Sequence, residues 1–287
     1  MITGTGTDQT GRHGGLMLSV DTSTASMTIA LTREDKLLGE MTSKAERNHS
    51  LHLIPAMKRL MTEVDVKPAE LNGFAIGVGP GSYTGVRIGV TVAKTFAWTH
   101  KLSLFGVSTL EAMALGGAET AVTGASFGMT GEMSEVRDGE LGALDRVLKE
   151  TERARETVWL IPLIDARRGQ AFTALYEAGA SGWKCAVPDG IRLMAAWTEE
   201  LALHAAKHQP DRIVFTGELE QHSEPIRSFA SRCAGRVEEM VHGVRARHVA
   251  ELGRIRWKRG ETEDVHGLVP NYTQLAEAEA KLLAQRS

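Results

Sequence analysis

The stretch GVGPGSYTGVRIGV, residues 77–90, has the composition of a loop that binds phosphate between a strand and a helix. Turns of this kind can present backbone N–H groups to an anion at a helix N-terminus. Ser82 or Thr84 can cap that helix, and Arg87 in its first turn could pair with a bound anion. The pattern leaves two alternatives, an anion site or a capped turn that lets two backbone segments approach closely.

The two best-known phosphate motifs do not match this loop. A Walker A loop carries lysine after its last glycine, but Gly85 is followed by Val86 and Arg87. The dinucleotide motif has a third glycine where this chain has Ser82. Pro80 also lacks the backbone N–H group that an anion cradle would use. These departures favour the capped turn over phosphate binding.

Asp21 and Thr22 are the other candidates for a nucleotide or metal contact, because they directly follow an apolar run. The alternative is an Asx turn that closes a hairpin. His49 and His52 are spaced for one helix face, but no carboxylate or cysteine completes a set of metal ligands there. We therefore expect no metal site, and the residues identify no catalytic group.

Length and composition are those of a globular chain with room for two domains. The chain has 287 residues, 42% hydrophobic residues and a formal net charge of −3, so no global basic field would attract nucleic acid. Two cysteines without CxxC spacing fit a reducing compartment, and no apolar run is long enough for a membrane span. We expect a cytoplasmic protein. The basic segment 245–259 is typical of a solvated helix face, with an RNA patch as the alternative.

Hydrophobic periodicity predicts the elements that position these residues. Three short strands precede a helix, and a buried strand then leads into the glycine loop and a second helix. Two α/β units that each open with a meander or hairpin indicate a duplicated architecture. The predicted organisation is a disordered leader at 1–15, an N-terminal α/β domain at 16–115, a connecting insertion of loop and solvated helix at 116–157, and a C-terminal α/β domain at 158–287.

Four segments, in this order, resemble the bacterial TsaB (YeaZ) family: LSVDTSTASMTIAL, HSLHLIPAMKRLM, GFAIGVGPGSYTGVRIGVTVAKTFAW and LIDARRGQAFTALY. The block GPGSYTGVRIG is the most specific of them. The resemblance implies a two-domain α/β fold of the acetate kinase/Hsp70/actin (ASKHA) superfamily. It also implies a role in forming threonylcarbamoyladenosine (t6A), the modified base beside the anticodon of tRNAs that read codons beginning with A.

In that pathway the resemblance implies a non-catalytic partner. A related protein, TsaD, transfers the threonylcarbamoyl group to tRNA, and an ATPase, TsaE, supports the cycle. We expect a heterodimer with a TsaD-like protein, contact with a TsaE-like ATPase, tRNA contact through the complex, and a homodimer as an option for the free chain. No intrinsic cofactor is expected, and ATP with magnesium would bind only weakly or at the partner interface.

Two other classes of function compete with this one. A free-standing, ATP-dependent, kinase-like enzyme of the same superfamily would use Asp21, Thr22 and the glycine loop. A peptidase would need a nucleophile and a base, and the sequence shows no such pair.

The resemblance further implies that the first two helices, about 49–63 and 85–98, form the partner contact. A methionine-rich outer face would suit an exchangeable interface, whereas core packing is the alternative. The tail PNYTQ lacks the arginine that family members often carry after Pro-x-Tyr, so it is assigned no role. The candidate interface residues are His49, Met57, Met61, Val92 and Phe96.

Overall fold

The structure, a computed structural model, describes residues 15–44, 49–124 and 134–273, so the predicted leader lies outside the described residues except at its last position. The first half of the chain forms β1 (Leu16–Asp21), β2 (Ser26–Arg33), β3 (Lys36–Lys44), α1 (His49–Glu63), β4 (Leu71–Gly77), α2 (Tyr83–His100), β5 (Ser103–Val107), α3 (Thr109–Thr123), β6 (Ser134–Glu140) and α4 (Ala143–Ala154). The second half forms β7 (Val158–Asp165), β8 (Gln170–Gly179), β9 (Gly182–Leu193), α5 (Met194–His208), β10 (Arg212–Gly217), α6 (Ser223–Ala230), β11 (Arg236–Met240) and α7 (Ala246–Lys258).

The two sheets share one strand arrangement. Sheet 1 has the order β5-β4-β1-β2-β3-β6, parallel from β1 to β5 and antiparallel from β1 to β6. Sheet 2 has the order β11-β10-β7-β8-β9, with the same parallel and antiparallel sides around β7. Strand β7 therefore corresponds to β1, and β10 corresponds to β4. This repeat confirms the duplicated architecture that the sequence indicates.

Apolar side chains fill three successive cores. Helices α1 and α2 pack on one face of sheet 1, in a core that includes Leu18 and Leu53. Helices α3 and α7 lie between the sheets, where Leu110 of α3 and Leu160 of β7 share one cluster. Helices α5 and α6 cover the other face of sheet 2 around Trp197. Within the described ranges, no helix combines the length and apolar character that a membrane crossing requires.

The segment predicted as an insertion is part of this packing. Residues 116–123, predicted as loop, continue α3, because Gly116 and Gly117 leave room for the side chains of His242 and Thr216. Strand β6 extends sheet 1 beside β3. Helix α4 is helical as predicted, but it buries Val147 and packs on α3. The backbone N–H groups at its N-terminus donate to the Glu251 carboxylate of α7.

Four arginines of the basic segment 245–259 do not form a solvated face, although Lys258 and Arg259 of that segment are exposed. Arg245 is buried and donates to the Glu40 carboxylate of β3 at 2.7 Å, and Arg247 donates to the same carboxylate at 2.8 Å. Arg254 pairs with Asp35, and Arg256 donates to the carbonyl oxygen of Gly106. Because α7 lies between the two sheets, these charges hold layers together. Neither a solvated face nor an RNA patch describes these four arginines.

Helix α1 turns its methionines inward. Met57 and Met61 are 1% and 5% exposed in the core beneath α1, so their predicted position on an outer interface is wrong. His49 is also buried, while Val92 and Phe96 are partly buried against the same core. The reason is that α1 covers β2 and β3 as well as contacting α2, so both methionines are needed to fill that space.

Candidate functional site

Backbone N–H groups of the glycine loop, residues 77–85, donate hydrogen bonds to other groups of the protein. The Ser82 N–H group donates to the Ser23 carbonyl oxygen at 2.7 Å, and the Gly79 N–H group donates to Thr109 Oγ1 at 3.1 Å. Ser82 Oγ caps α2 by accepting from the Gly85 N–H group at 3.3 Å. Three donors that an anion cradle would use are therefore already bonded within the protein.

The glycines give space to the segment 21–24. An added Cβ atom on Gly81 would overlap the carbonyl oxygen of Ser23, and one on Gly85 would overlap that of Thr22. Thr22 Oγ1 also donates to the Gly85 carbonyl oxygen at 2.7 Å. These contacts explain why the loop is rich in glycine: it packs against another backbone segment at van der Waals distance.

Asp21 and Thr22 do not face a ligand site. Both are fully buried, and the Asp21 carboxylate accepts from Thr109 Oγ1 and from the Ser23 N–H group, each at 2.7 Å. Burial raises the pKa of Asp21, although these two hydrogen bonds act in the opposite direction. The predicted nucleotide or metal contact is therefore wrong for these two residues. Their role is the turn alternative, with a buried carboxyl group that closes the strand end.

A cleft of about 710 Å³ opens between the two halves at the carboxyl ends of β1 and β7. The first half lines it with Ser23, Thr24, His49 and the start of α2, which includes Ser82 and Thr84. A cleft of this size is ordinary for a small-molecule or peptide site. Two of the five candidate anion contacts, Ser82 and Thr84, therefore do line a cavity.

The second half lines the cleft with Asp165, Glu218 and the hairpin tip at Arg167. Glu218 accepts from the Asp165 N–H group at 2.9 Å, and His222 Nε2 lies 3.2 Å from Asp165 Oδ1. Burial raises the pKa of Glu218, and burial lowers the pKa of His222 against the attraction of Asp165. The lining of the cleft in this half therefore carries carboxylate acceptors, suited to hydroxyl and amino groups.

The sequence analysis did not identify Asp165 and Glu218, because their correspondence to the first half is visible only in the strand order of the two sheets. Asp165 ends β7 as Asp21 ends β1, and Glu218 follows β10 as Val78 follows β4. The two halves differ in burial, since Asp165 is partly exposed to the cleft and Asp21 is enclosed. The repeat was not evident from residue identities, so the correspondence depends on strand order.

Arg87 lies at the rim of the cleft rather than in it. Its guanidinium carbon sits 3.9 Å from the ring centre of Tyr83, which lines the cleft, and its Nε donates to Tyr272 Oη at 2.7 Å. The rings of Tyr83 and Tyr272 are 5.7 Å apart and remain 51% and 46% exposed. These three side chains form an aromatic rim, which we define as Tyr83, Arg87 and Tyr272.

Tyr272 comes from a segment that returns to the first half after α7, which we call the C-terminal strap (263–273). Its backbone joins sheet 1 where Glu263 N–H donates to Leu104 and Asn271 N–H donates to Val78, both at 2.8 Å. The Asn271 side chain donates to Asp189 Oδ2 of β9 at 2.8 Å. The PNY motif, to which the sequence assigned no role, thus contacts both halves.

No metal site is formed by the described part of the chain: no group of three or more His, Cys, Asp or Glu side chains is arranged to hold an ion. His49 Nε2 lies 3.1 Å from the Thr24 carbonyl oxygen, and His52 is exposed. His204 and His208 lie one turn apart on α5, outside the cleft lining.

Comparisons with known proteins identify relatives over nearly the whole chain. The chain is 34% identical over 266 residues to the tRNA threonylcarbamoyladenosine biosynthesis protein TsaB of Bacillus subtilis, covering 92% of this chain and 96% of that protein. It is 34% identical over 100 residues to Escherichia coli TsaB, covering 35% of this chain and 43% of that protein. A family model described as TsaD, tRNA N6-adenosine threonylcarbamoyltransferase, matches residues 35–130.

Solved structures share the fold. One is described as an uncharacterized protein with similarity to peptidase YEAZ from Pseudomonas aeruginosa, with a TM-score of 0.65 at 21% identity over 91% of this chain and 100% of that chain. YeaZ from Pseudomonas aeruginosa gives a TM-score of 0.59 at 20% identity over 90% of this chain and 99% of that chain. The predicted α/β fold, built here on two sheets, is therefore confirmed. With the full-length match to the Bacillus subtilis protein, the chain belongs to the TsaB (YeaZ) family of tRNA threonylcarbamoyladenosine biosynthesis proteins.

Proposed function

We propose that this protein is a non-catalytic partner of a TsaD-type threonylcarbamoyltransferase. Together they would form t6A beside the anticodon of tRNAs that read codons beginning with A. The observation that supports the non-catalytic role is the hydrogen bonding of the glycine loop. The backbone N–H groups of Gly79, Ser82 and Gly85 donate to acceptors within the protein. Because these donors are already bonded within the protein, the loop is suited to starting helix α2 rather than to binding the phosphates of ATP.

The surface of α1 offers a contact for that partner. Leu51 and Ile54 are 67% and 48% exposed on this helix, one turn apart. Partly buried Val92 on the adjoining α2 would extend the apolar surface. Exposed apolar side chains grouped on adjoining helices are typical of a protein–protein contact. The partner contact predicted for the first two helices is thus retained with Leu51 and Ile54 in place of the two buried methionines.

The double variant Leu51→Glu/Ile54→Glu is expected to abolish association with the TsaD homologue of the same organism. Two charges in a desolvated apolar contact cost several kcal/mol, on the order of a hundredfold or more in affinity. Calorimetry with the purified homologue measures this. Leu203→Glu is the matched control, because Leu203 is 75% exposed on α5 in the other half of the molecule.

Unchanged affinity of the Leu51/Ile54 variant would remove this helix surface from the interface. A wild-type chain that does not bind the homologue at all would contradict the partner role itself. Depletion in the host, followed by mass spectrometry of tRNA nucleosides, tests the pathway independently: t6A should fall while other modified nucleosides stay constant.

The remaining parts of the proposal concern cofactors and further partners. The chain would bind ATP and magnesium only weakly or at the partner interface, and a TsaE-like ATPase would join the complex. The alternative, a free-standing kinase-like enzyme, requires magnesium-dependent ATP binding and turnover by the isolated chain. Calorimetry at millimolar ATP distinguishes the two, because strong binding with turnover would favour the enzyme.

A further inference from the structure

We infer that the cleft and its aromatic rim bind single-stranded RNA directly, with a base stacked on Tyr83 and phosphates held by Arg167 and Arg168. The inference deepens the proposed function and rests on it for the choice of RNA as occupant. It assigns RNA contact to this chain itself and to a surface other than the basic cluster around α7.

Aromatic side chains from both halves line the same cleft. Tyr83 at the start of α2 lines one side, and Phe172 of β8 lines the other. Tyr83 remains half exposed although Arg87 covers part of its ring. Exposed aromatic faces in a groove are the surfaces on which unpaired bases stack, and an arginine stacked against them adds to that contact.

The hairpin between β7 and β8 supplies two cations from the second half of the molecule. Arg167 lines the cleft, Arg168 follows it, and both are exposed. Throughout the described ranges neither guanidinium group has an ion pair or a side-chain hydrogen bond, in contrast to the arginines of α7. Arginine held near an aromatic groove without a protein partner is complementary to a phosphate backbone.

The carboxylates that line the cleft fit a nucleotide whose phosphates lie beside the arginines of the hairpin. Asp165 and Glu218 would repel a phosphate placed next to them, but they can accept hydrogen bonds from ribose hydroxyl groups or exocyclic amines. The charge arrangement therefore orients a nucleotide with its sugar or base toward Asp165 and Glu218 and its backbone toward Arg167 and Arg168.

Fluorescence anisotropy with a fluorescein-labelled octamer of adenylate, and with a duplex RNA of equal length, tests the inference on the full chain. The wild-type protein is expected to prefer the single strand. Tyr83→Leu should weaken single-strand binding about fivefold or more, the lower end of the loss found for one stacked base. Trp98→Leu is the matched control, because Trp98 is also an exposed aromatic residue, at the far end of α2.

The double variant Arg167→Gln/Arg168→Gln tests the phosphate contacts. It should reduce the dependence of log affinity on log salt by about 1.4 between about 50 and 200 mM salt, since each single-strand phosphate contributes about 0.7. Lys58→Gln/Lys149→Gln removes the same charge from exposed positions of α1 and α4 and should leave that slope unchanged. Circular dichroism confirms that each variant is folded.

Three results would overturn the inference. The first is no single-strand binding by wild type up to about 100 µM, the weak limit of ordinary non-specific binding. The second is equal RNA affinity in the site variants and their controls. The third is displacement of the octamer by AMP at the same concentration, which would make the cleft a mononucleotide site. Each leaves TsaD association and t6A formation intact, whereas failure of the proposed function would appear in those two measurements.

Discussion

At Gly81 and Gly85 the missing side chain lets two loops share hydrogen bonds. The carbonyl oxygen of Ser23 accepts from Ser82, and the hydroxyl group of Thr22 donates to Gly85. A Cβ atom at Gly81 would occupy the space of the Ser23 carbonyl group, and backbone cannot move aside as a flexible side chain can. The glycines that make the loop resemble a phosphate site are therefore required by its contact with segment 21–24.

Gly81→Ala is expected to destabilise the protein by about 1 to 3 kcal/mol, the usual cost of overpacking, and to displace Ser23. Urea unfolding monitored by tryptophan fluorescence measures the change. Gly179→Ala is the control, because an added Cβ there would meet its nearest neighbour at an ordinary 3.5 Å. Equal stability of both variants would show that the two loops do not pack as described.

Among the elements, the C-terminal strap holds the two halves at one end of the cleft. Lys94 of α2 donates to the carbonyl oxygens of His266 and Leu268 at 3.0 and 2.9 Å. Asp189 of β9 accepts from Asn271 and also from Ser108, which caps α3. Burial raises the pKa of Asp189, and its hydrogen-bond donors counteract this rise. The strap thus connects the start of α3, the sheet 2 edge and the aromatic rim.

Asn271→Ala removes one donor to Asp189 and is expected to cost about 1.5 to 3 kcal/mol, the range for a hydrogen bond to a charged group. The larger effect should be local: faster hydrogen–deuterium exchange at Glu263 and Asn271, because the strap separates from sheet 1 more often. Val269→Ala is the control in the same segment, since the Val269 side chain is exposed. Exchange rates unaffected by Asn271→Ala would show that the side chain does not hold the strap.

At the scale of the whole molecule, buried ion pairs connect layers of secondary structure that also pack through apolar contacts. Burial raises the pKa of Glu40, but Arg245 and Arg247 outweigh it and hold the pKa at about 2. Burial also raises the pKa of Glu119 in α3, but the interactions with His248 and Arg146 outweigh this effect and hold the pKa at about 2. His242, beside His248, has its pKa lowered to about 3, mainly by burial and also by His248 and Arg245, while Glu119 and Glu40 act in the opposite direction.

These shifts favour destabilisation by acid, whereas the raised pKa values of Asp21, Asp189 and Glu218 act in the opposite direction. Between pH 6.5 and about 3 the unfolded chain takes up a proton at His242 that the folded chain does not. The free energy of unfolding therefore decreases as the pH is lowered. Below pH 4.5 the two glutamates act with the same sign, because their folded pKa values lie below the unfolded value. His222, whose pKa is also lowered, adds to the fall at mildly acid pH.

His242→Gln is expected to reduce the slope of unfolding free energy against pH by about 1.4 kcal/mol per unit near pH 5 to 6, the equivalent of one proton. Urea unfolding between pH 5 and 8 measures this slope for the variant and the wild type. The steeper slope should belong to the wild type, with His222 accounting for part of what remains. An identical slope in both proteins would mean that His242 is protonated in the folded state.

The sequence by itself determined the element order around the glycine loop and the failure of the loop to match known phosphate motifs. Both depend on local information: the period of apolar residues, the turn residues between them, and the spacing within one short segment. Helices α1 and α2 and strands β1 to β4 accordingly lie where periodicity places them. The resemblance of those segments also led to the family that the full-length comparison shows.

Only the tertiary structure decided which face of each element meets another layer. Glu40 is 205 positions from Arg245 along the chain, so no local pattern could mark those α7 arginines as buried. Met57 and Met61 could fill either side of α1 until the width of the sheet beneath it was known. Asp165 and Glu218 line one cleft with Ser82 and Thr84 because a repeated strand order places the two halves together. Contacts between distant segments depend on packing in three dimensions, which residue spacing does not encode.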